Sequence, residues 1–115
     1  MFVRVKLTND LPLGTIVSYN SALDSWEIAS DNTKMFGIIE ETPTQESGTW
    51  WAAVRFGGVS WALADRDIPN EGGFMHVLNG KVYASGTDYS SGVIAPNDPD
   101  ALNRVTNDSI MVYLR

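Results

Sequence analysis

His76 is the only histidine in 115 residues, and there is no cysteine, so side-chain chemistry has few places to start. A hydroxyl nucleophile relay needs an imidazole between a serine and a buried carboxylate. Ser60 or Ser85 could be imagined in that part, but neither lies in the strand-to-helix elbow that exposes a nucleophile. A metal would have to rely on carboxylates. Asn97, Asp98, Asp100, Asn107 and Asp108 are grouped in the chain, but they lack the central glycine and terminal glutamate of a calcium loop. Turn and capping roles account for them. Glu40 and Glu41 are adjacent, so on a strand they point to opposite faces and cannot form a glycosidase pair with each other. Gly57-Gly58 and Gly72-Gly73 open no helix, as a phosphate loop would. The expectation is a protein that is not an enzyme, with no catalytic, cofactor-binding or metal-binding residues.

Composition narrows the partners. Acidic residues number 14 against 8 basic, for a formal charge of −6, which argues against a face built to neutralise phosphates or to adsorb on anionic lipid. Neither nucleic acid nor membrane is expected as a partner. Without cysteine there is no disulfide framework. The start, Met1-Phe2-Val3-Arg4-Val5-Lys6, is interrupted by charge and has no apolar signal region, which predicts synthesis and folding in a cytoplasm. The length predicts a single domain over 1–115.

The elements that would hold these residues are strands. Phe2 to Leu7 alternates, with Val3, Val5 and Leu7 inward and Phe2, Arg4 and Lys6 outward. Thr15 to Tyr19, Trp26 to Ala29, Phe36 to Glu41 and Ile110 to Leu114 read as further strands. The polar stretch Thr42 to Gly48, with Pro43, reads as a connection. Asn79-Gly80 is the strongest hairpin signal in the chain; it pairs Val77 with Val82, His76 with Tyr83 and Met75 with Ala84. Gly57-Gly58 predicts a second hairpin, Thr49 to Ala64, with Phe56 opposite Val59 and Val54 opposite Trp61. In that register Trp50, Ala52, Val54, Phe56, Val59, Trp61 and Leu63 share a core face. Trp51, Ala53, Arg55, Ser60, Ala62 and Ala64 share the other. From Gly86 to Ser109 the chain is mostly turn-forming, with a short apolar piece at Val93-Ile94-Ala95. Asp98-Pro99 marks the start of at most one short helix near residues 99–104. The fold class is all-β, a small antiparallel barrel or sandwich of about eight to ten short strands.

The aromatics are what remains for function. Trp61 is expected in the core, where truncation to alanine would cost roughly 3–5 kcal/mol. Trp51 is expected at the surface, where its loss would spare the fold and impair association. The outer face of the Asn79-Gly80 hairpin, Phe74, His76, Leu78 and Tyr83, is apolar enough to mark contact with another chain. Together with Phe2, Arg4 and Lys6 of the first strand, these are the interface candidates. The first strand is a candidate for lying against a partner as an added strand; its charges equally blunt an exposed edge.

Several segments, taken in order, carry a resemblance. They are Leu13-Gly14-Thr15-Ile16-Val17, Trp26-Glu27-Ile28-Ala29, Phe36-Gly37-Ile38-Ile39, Ala53-Val54-Arg55-Phe56-Gly57-Gly58, Asn79-Gly80-Lys81-Val82-Tyr83 and Ile110-Met111-Val112-Tyr113-Leu114. Spanning nearly the whole chain, they resemble the small β-barrel decoration (cement) proteins on the capsids of tailed bacteriophages. The resemblance implies a non-enzymatic virion protein on the capsid surface, a homotrimer that binds the major capsid protein and stiffens the shell. Two alternatives stand beside it. One is a carbohydrate- or receptor-binding β module with Trp51 or Tyr83 as a sugar-stacking platform; the other is a tail or fibre-attachment component of the virion.

Overall fold

Two short stretches, Gly14–Ser18 and Gly37–Ile39, are buried at every position, as strands covered on both faces must be. The rest of the architecture is built around them. The computed structural model describes residues 2–32, 36–88, 92–96 and 104–115, with Phe2 and Phe36 described by backbone alone. Among these residues the chain is all-β, as its alternation predicts. The strands are β1 (Phe2–Leu7), β2 (Ile16–Asn20), β3 (Ser25–Ile28), β4 (Phe36–Ile39), β5 (Thr44–Glu46), β6 (Thr49–Arg55), β7 (Gly58–Leu63), β8 (Gly73–Leu78), β9 (Lys81–Ser85), β10 (Gly92–Ile94) and β11 (Ser109–Leu114). The short helix expected near 99–104 falls outside the described residues except for Arg104, which bridges to Ile68.

The first sheet runs β1-β3-β2-β4-β6, and pairing of β6 with β1 closes it into a five-stranded barrel, with β5 added beside β6. The second sheet runs β7-β11-β10-β8-β9. Its outer strands meet at a parallel bridge between Ala64 and Val82, where the Asp65 N–H donates to the Val82 carbonyl at 2.8 Å.

Each sheet encloses its own hydrophobic cluster. Leu7, Leu11, Val17, Ile39, Ala52 and Val54 fill the first, with Val5, Trp26, Trp50 and Phe56 packed around them. The second contains Met75, Val77, Val82, Ile94, Ile110 and Val112, and also Ile16, Ala29 and Ile38 from the first sheet. Strands β2 and β4 are therefore a wall shared by two cores. Alternation sends Ile16 and Ile38 one way and Val17 and Ile39 the other. Gly37 sits in this wall because a Cβ there would collide with Val54 Cγ1 and lie 2.7 Å from the Arg55 carbonyl.

The Asn79-Gly80 hairpin has the predicted register: Val77 opposite Val82, His76 opposite Tyr83, Met75 opposite Ala84. Both turn residues have positive φ, 48° and 79°, as a type I′ turn requires.

The Gly57-Gly58 hairpin does not form. Strand β6 has one edge on β1 and the other on β4 and β5, so no edge remains for β7. The chain crosses at Gly58 (φ 82°) into the second sheet, where β7 pairs with β11 along its whole length. The face assignment on β6 holds, with Ala52 and Val54 buried in the core. On β7 it is reversed. Ser60, Ala62 and Ala64 are buried, while Val59 and Trp61 are exposed. Small side chains are required there because β7 runs against the shared wall, where the Leu63 N–H donates to the Gly14 carbonyl at 3.2 Å.

The stretch Thr42 to Gly48 is more than a connection. Thr44–Glu46 forms β5 and returns into β6 through Ser47-Gly48, both with positive φ.

Candidate functional site

The eight residues singled out by the sequence separate into two groups on different sheets. Phe2, Arg4, Lys6 and Trp51 belong to the first barrel, where Phe2 is paired with Arg55, Arg4 with Ala53 and Lys6 with Trp51. The Arg4 guanidinium lies 5.6 Å from the centre of the Trp51 ring. It also donates to Glu46 Oε1 at 2.8 Å and Thr44 Oγ1 at 3.2 Å. Trp51 is half-buried, because β5 lies alongside it and Arg4 covers part of its face.

Phe74, His76, Leu78 and Tyr83 share the outer face of β8 and β9, as predicted. Their exposure is uneven. His76 is only 6 % exposed, its Nε2 is 2.6 Å from the Thr87 carbonyl oxygen, and its ring centre is 5.2 Å from that of Tyr83. His76, expected among the interface candidates, is thus covered by its own chain, which folds back over it after β9. The other side of Tyr83 is covered by the Arg66 guanidinium, 4.0 Å from the ring centre.

Because β7 pairs with β11 and not with β6, a further apolar surface forms on the second sheet. On the outer face of the second sheet, Val59 is paired with Tyr113, Tyr113 with Val93, and Val93 with Phe74. This is one row of apolar side chains across four strands, about 14 Å long at the usual strand spacing. Trp61 opposite Met111 begins a second row beside it. Trp61 is 57 % exposed, and Val59 and Tyr113 are each 45 % exposed. Leu13, on the connection into β2, lines a shallow groove with Trp61. None of these residues carries a charge. Charge is found at the margins, where Arg115 forms an ion pair with Asp88 at 2.9 Å and Arg66 with Asp65 at 2.9 Å. The signal in the sequence was β11 itself: Met111 and Tyr113 make its outer face apolar although Ile110, Val112 and Leu114 already supply its core.

A polar cluster lies between the barrel and the second sheet. Glu40 Oε1 accepts from Arg55 Nε at 2.8 Å and from the buried hydroxyl of Ser60. It ties β6 and the end of β4 to β7. Glu41 turns the other way and accepts from the Ala53 N–H at 3.0 Å, so the two carboxylates serve separate structural bonds.

Comparison of the chain with known protein families, with curated proteins and with solved structures returns no match.

Proposed function

We propose that the protein is a non-enzymatic virion structural protein, a capsid decoration protein that binds the major capsid protein lattice of a tailed phage and stabilises the shell. The observation that carries this reading is the charge-free outer face of β7, β11, β10 and β8, with Trp61 at its exposed end. A chain with 22 charged residues among 115 leaves Val59, Trp61, Met111, Tyr113, Val93 and Phe74 without one between them. An apolar centre with ion pairs at its rim is the anatomy of a protein–protein contact, and an exposed tryptophan is the kind of anchor that dominates such contacts. The stiff scaffold suits the role. A closed barrel sharing a buried wall with a second sheet transmits load through backbone ladders.

The partners in this reading are the major capsid protein and further copies of the chain in a homotrimer on the capsid surface. The test is sedimentation of purified protein with preformed shells that lack it, followed by heating of the shells. Co-sedimentation and a raised disruption temperature are expected, and both should be lost in Trp61→Ser. A protein that stays monomeric and leaves shells unchanged would sink the reading.

A further inference from the structure

On the sheet that does not carry Trp61, the first barrel is incompletely zipped. Strand β1 meets β3 only at Leu7, opposite Trp26, because β3 begins at Ser25 while β1 runs back to Phe2. Beside this gap is a groove of about 530 Å³, within the range of roughly 300–1,000 Å³ for small-molecule sites. Its walls include Arg4, Lys6, Tyr19, Asp24, Trp26 and Trp51.

Two properties of these walls belong together. Three of the six side chains are aromatic: Tyr19 is 46 % exposed, Trp26 is tilted against it with ring centres 5.6 Å apart, and Trp51 is on the other side of the β1 edge. The polar tips are both donors and acceptors. Lys6 and Arg4 donate. The Asp24 carboxylate, which accepts the Tyr19 hydroxyl at 2.7 Å, has lone pairs to spare. The charges balance, since Arg4 and Lys6 are matched by Asp24 and by Glu46, which holds Arg4 at 2.8 Å.

We infer that this groove is a binding site for a neutral oligosaccharide. A pyranose ring presents C–H bonds on its faces and hydroxyls around its rim. The C–H faces suit the electron-rich face of Tyr19 and the part of the Trp51 face that Arg4 leaves uncovered. Each hydroxyl both donates and accepts, which matches a rim holding ammonium, guanidinium and carboxylate together. An anionic polymer would find no net positive charge here, and the protein's overall −6 opposes its approach. An added peptide strand along β1 would use the same gap, but Arg4 and Lys6 on that strand are the residues that commonly block edge pairing. This inference is independent of the capsid reading, whose assay depends on the Trp61 face of the other sheet.

The test is a titration of the intact protein, followed by tryptophan fluorescence, with cellohexaose, maltohexaose and chitohexaose, and with hexagalacturonate and a β-strand-forming peptide as competitors for the assignment. At least one neutral hexasaccharide is expected to give a saturable shift. Trp51→Ala should weaken it about tenfold, the value of one aromatic stacking contact. Lys6→Ala should also weaken binding while leaving the circular dichroism spectrum and melting temperature unchanged, which separates recognition from folding. No saturable response to any of the three neutral sugars would overturn the inference. So would tighter binding of hexagalacturonate or the peptide, or wild-type affinity in both variants.

Discussion

Ile38 and Ile39 are adjacent in β4, and they lie in two different hydrophobic clusters. One strand thus supplies both cores. Both side chains are essentially inaccessible, so Ile38→Ala and Ile39→Ala should each cost about 2–5 kcal/mol, although they empty opposite sides of the wall. Denaturant unfolding of each variant, read by tryptophan fluorescence and by circular dichroism, should remain one coincident transition. Separate transitions for the two probes would mean that the cores melt independently.

Gly37, next to this pair, is held by close approach and not by backbone conformation. Its missing side chain makes room for Val54 and for the Arg55 carbonyl. Gly37→Ala should push β4 off β6 and destabilise by about 1–3 kcal/mol, the usual cost of overpacking. Gly57→Ala serves as the control, because a Cβ there meets nothing within 4 Å. Equal melting temperatures for the two variants would contradict the packing described.

Trp61→Ala should leave stability within about 0.5 kcal/mol of the parent, as surface substitutions usually do, in place of the 3–5 kcal/mol expected from the hairpin pattern. The decisive comparison is Trp50→Ala, whose side chain packs on the first core. It should lower the unfolding midpoint well below that of Trp61→Ala. The reverse order would restore the hairpin.

Asn32 bonds the main chain of β8 with its side chain. Among the described residues, strand β10 pairs with β8 only at Gly73 and Phe74. Beyond that point the Asn32 carboxamide donates to the Met75 carbonyl at 3.3 Å and accepts from the Val77 N–H at 2.5 Å. Asn32→Ala would leave partly buried main-chain groups without these bonds, at a cost of about 1–3 kcal/mol. Amide hydrogen exchange should show the loss first at Val77. Unchanged protection there would refute the assignment.

Much of this architecture was legible one strand at a time. Alternation located β1, β3, β4 and β11, β-branched and aromatic content located β2, and Asn79-Gly80 set its hairpin to the residue, because a type I′ turn leaves no freedom of register between its strands. The same reading brought Phe74, His76 and Tyr83 to one face. It named Arg4, Lys6 and Trp51 as interface candidates without joining them, because the pairing of β1 with β6 that does so spans some 45 positions of sequence and no local signal announces it.

What the sequence determined by itself was the class of structure and the inward side of each strand that has one apolar and one polar face. What only the tertiary structure decided was where strands with two apolar faces belong. Strands β2 and β4 became a shared wall, and β7 took Ser60, Ala62 and Ala64 inward and left Trp61 outside. The reason is competition for edges. Gly57-Gly58 is a good local turn, but β6 satisfies its backbone bonds on both sides with β1, β4 and β5, and hydrophobicity alone does not tell a core tryptophan from one waiting for a partner.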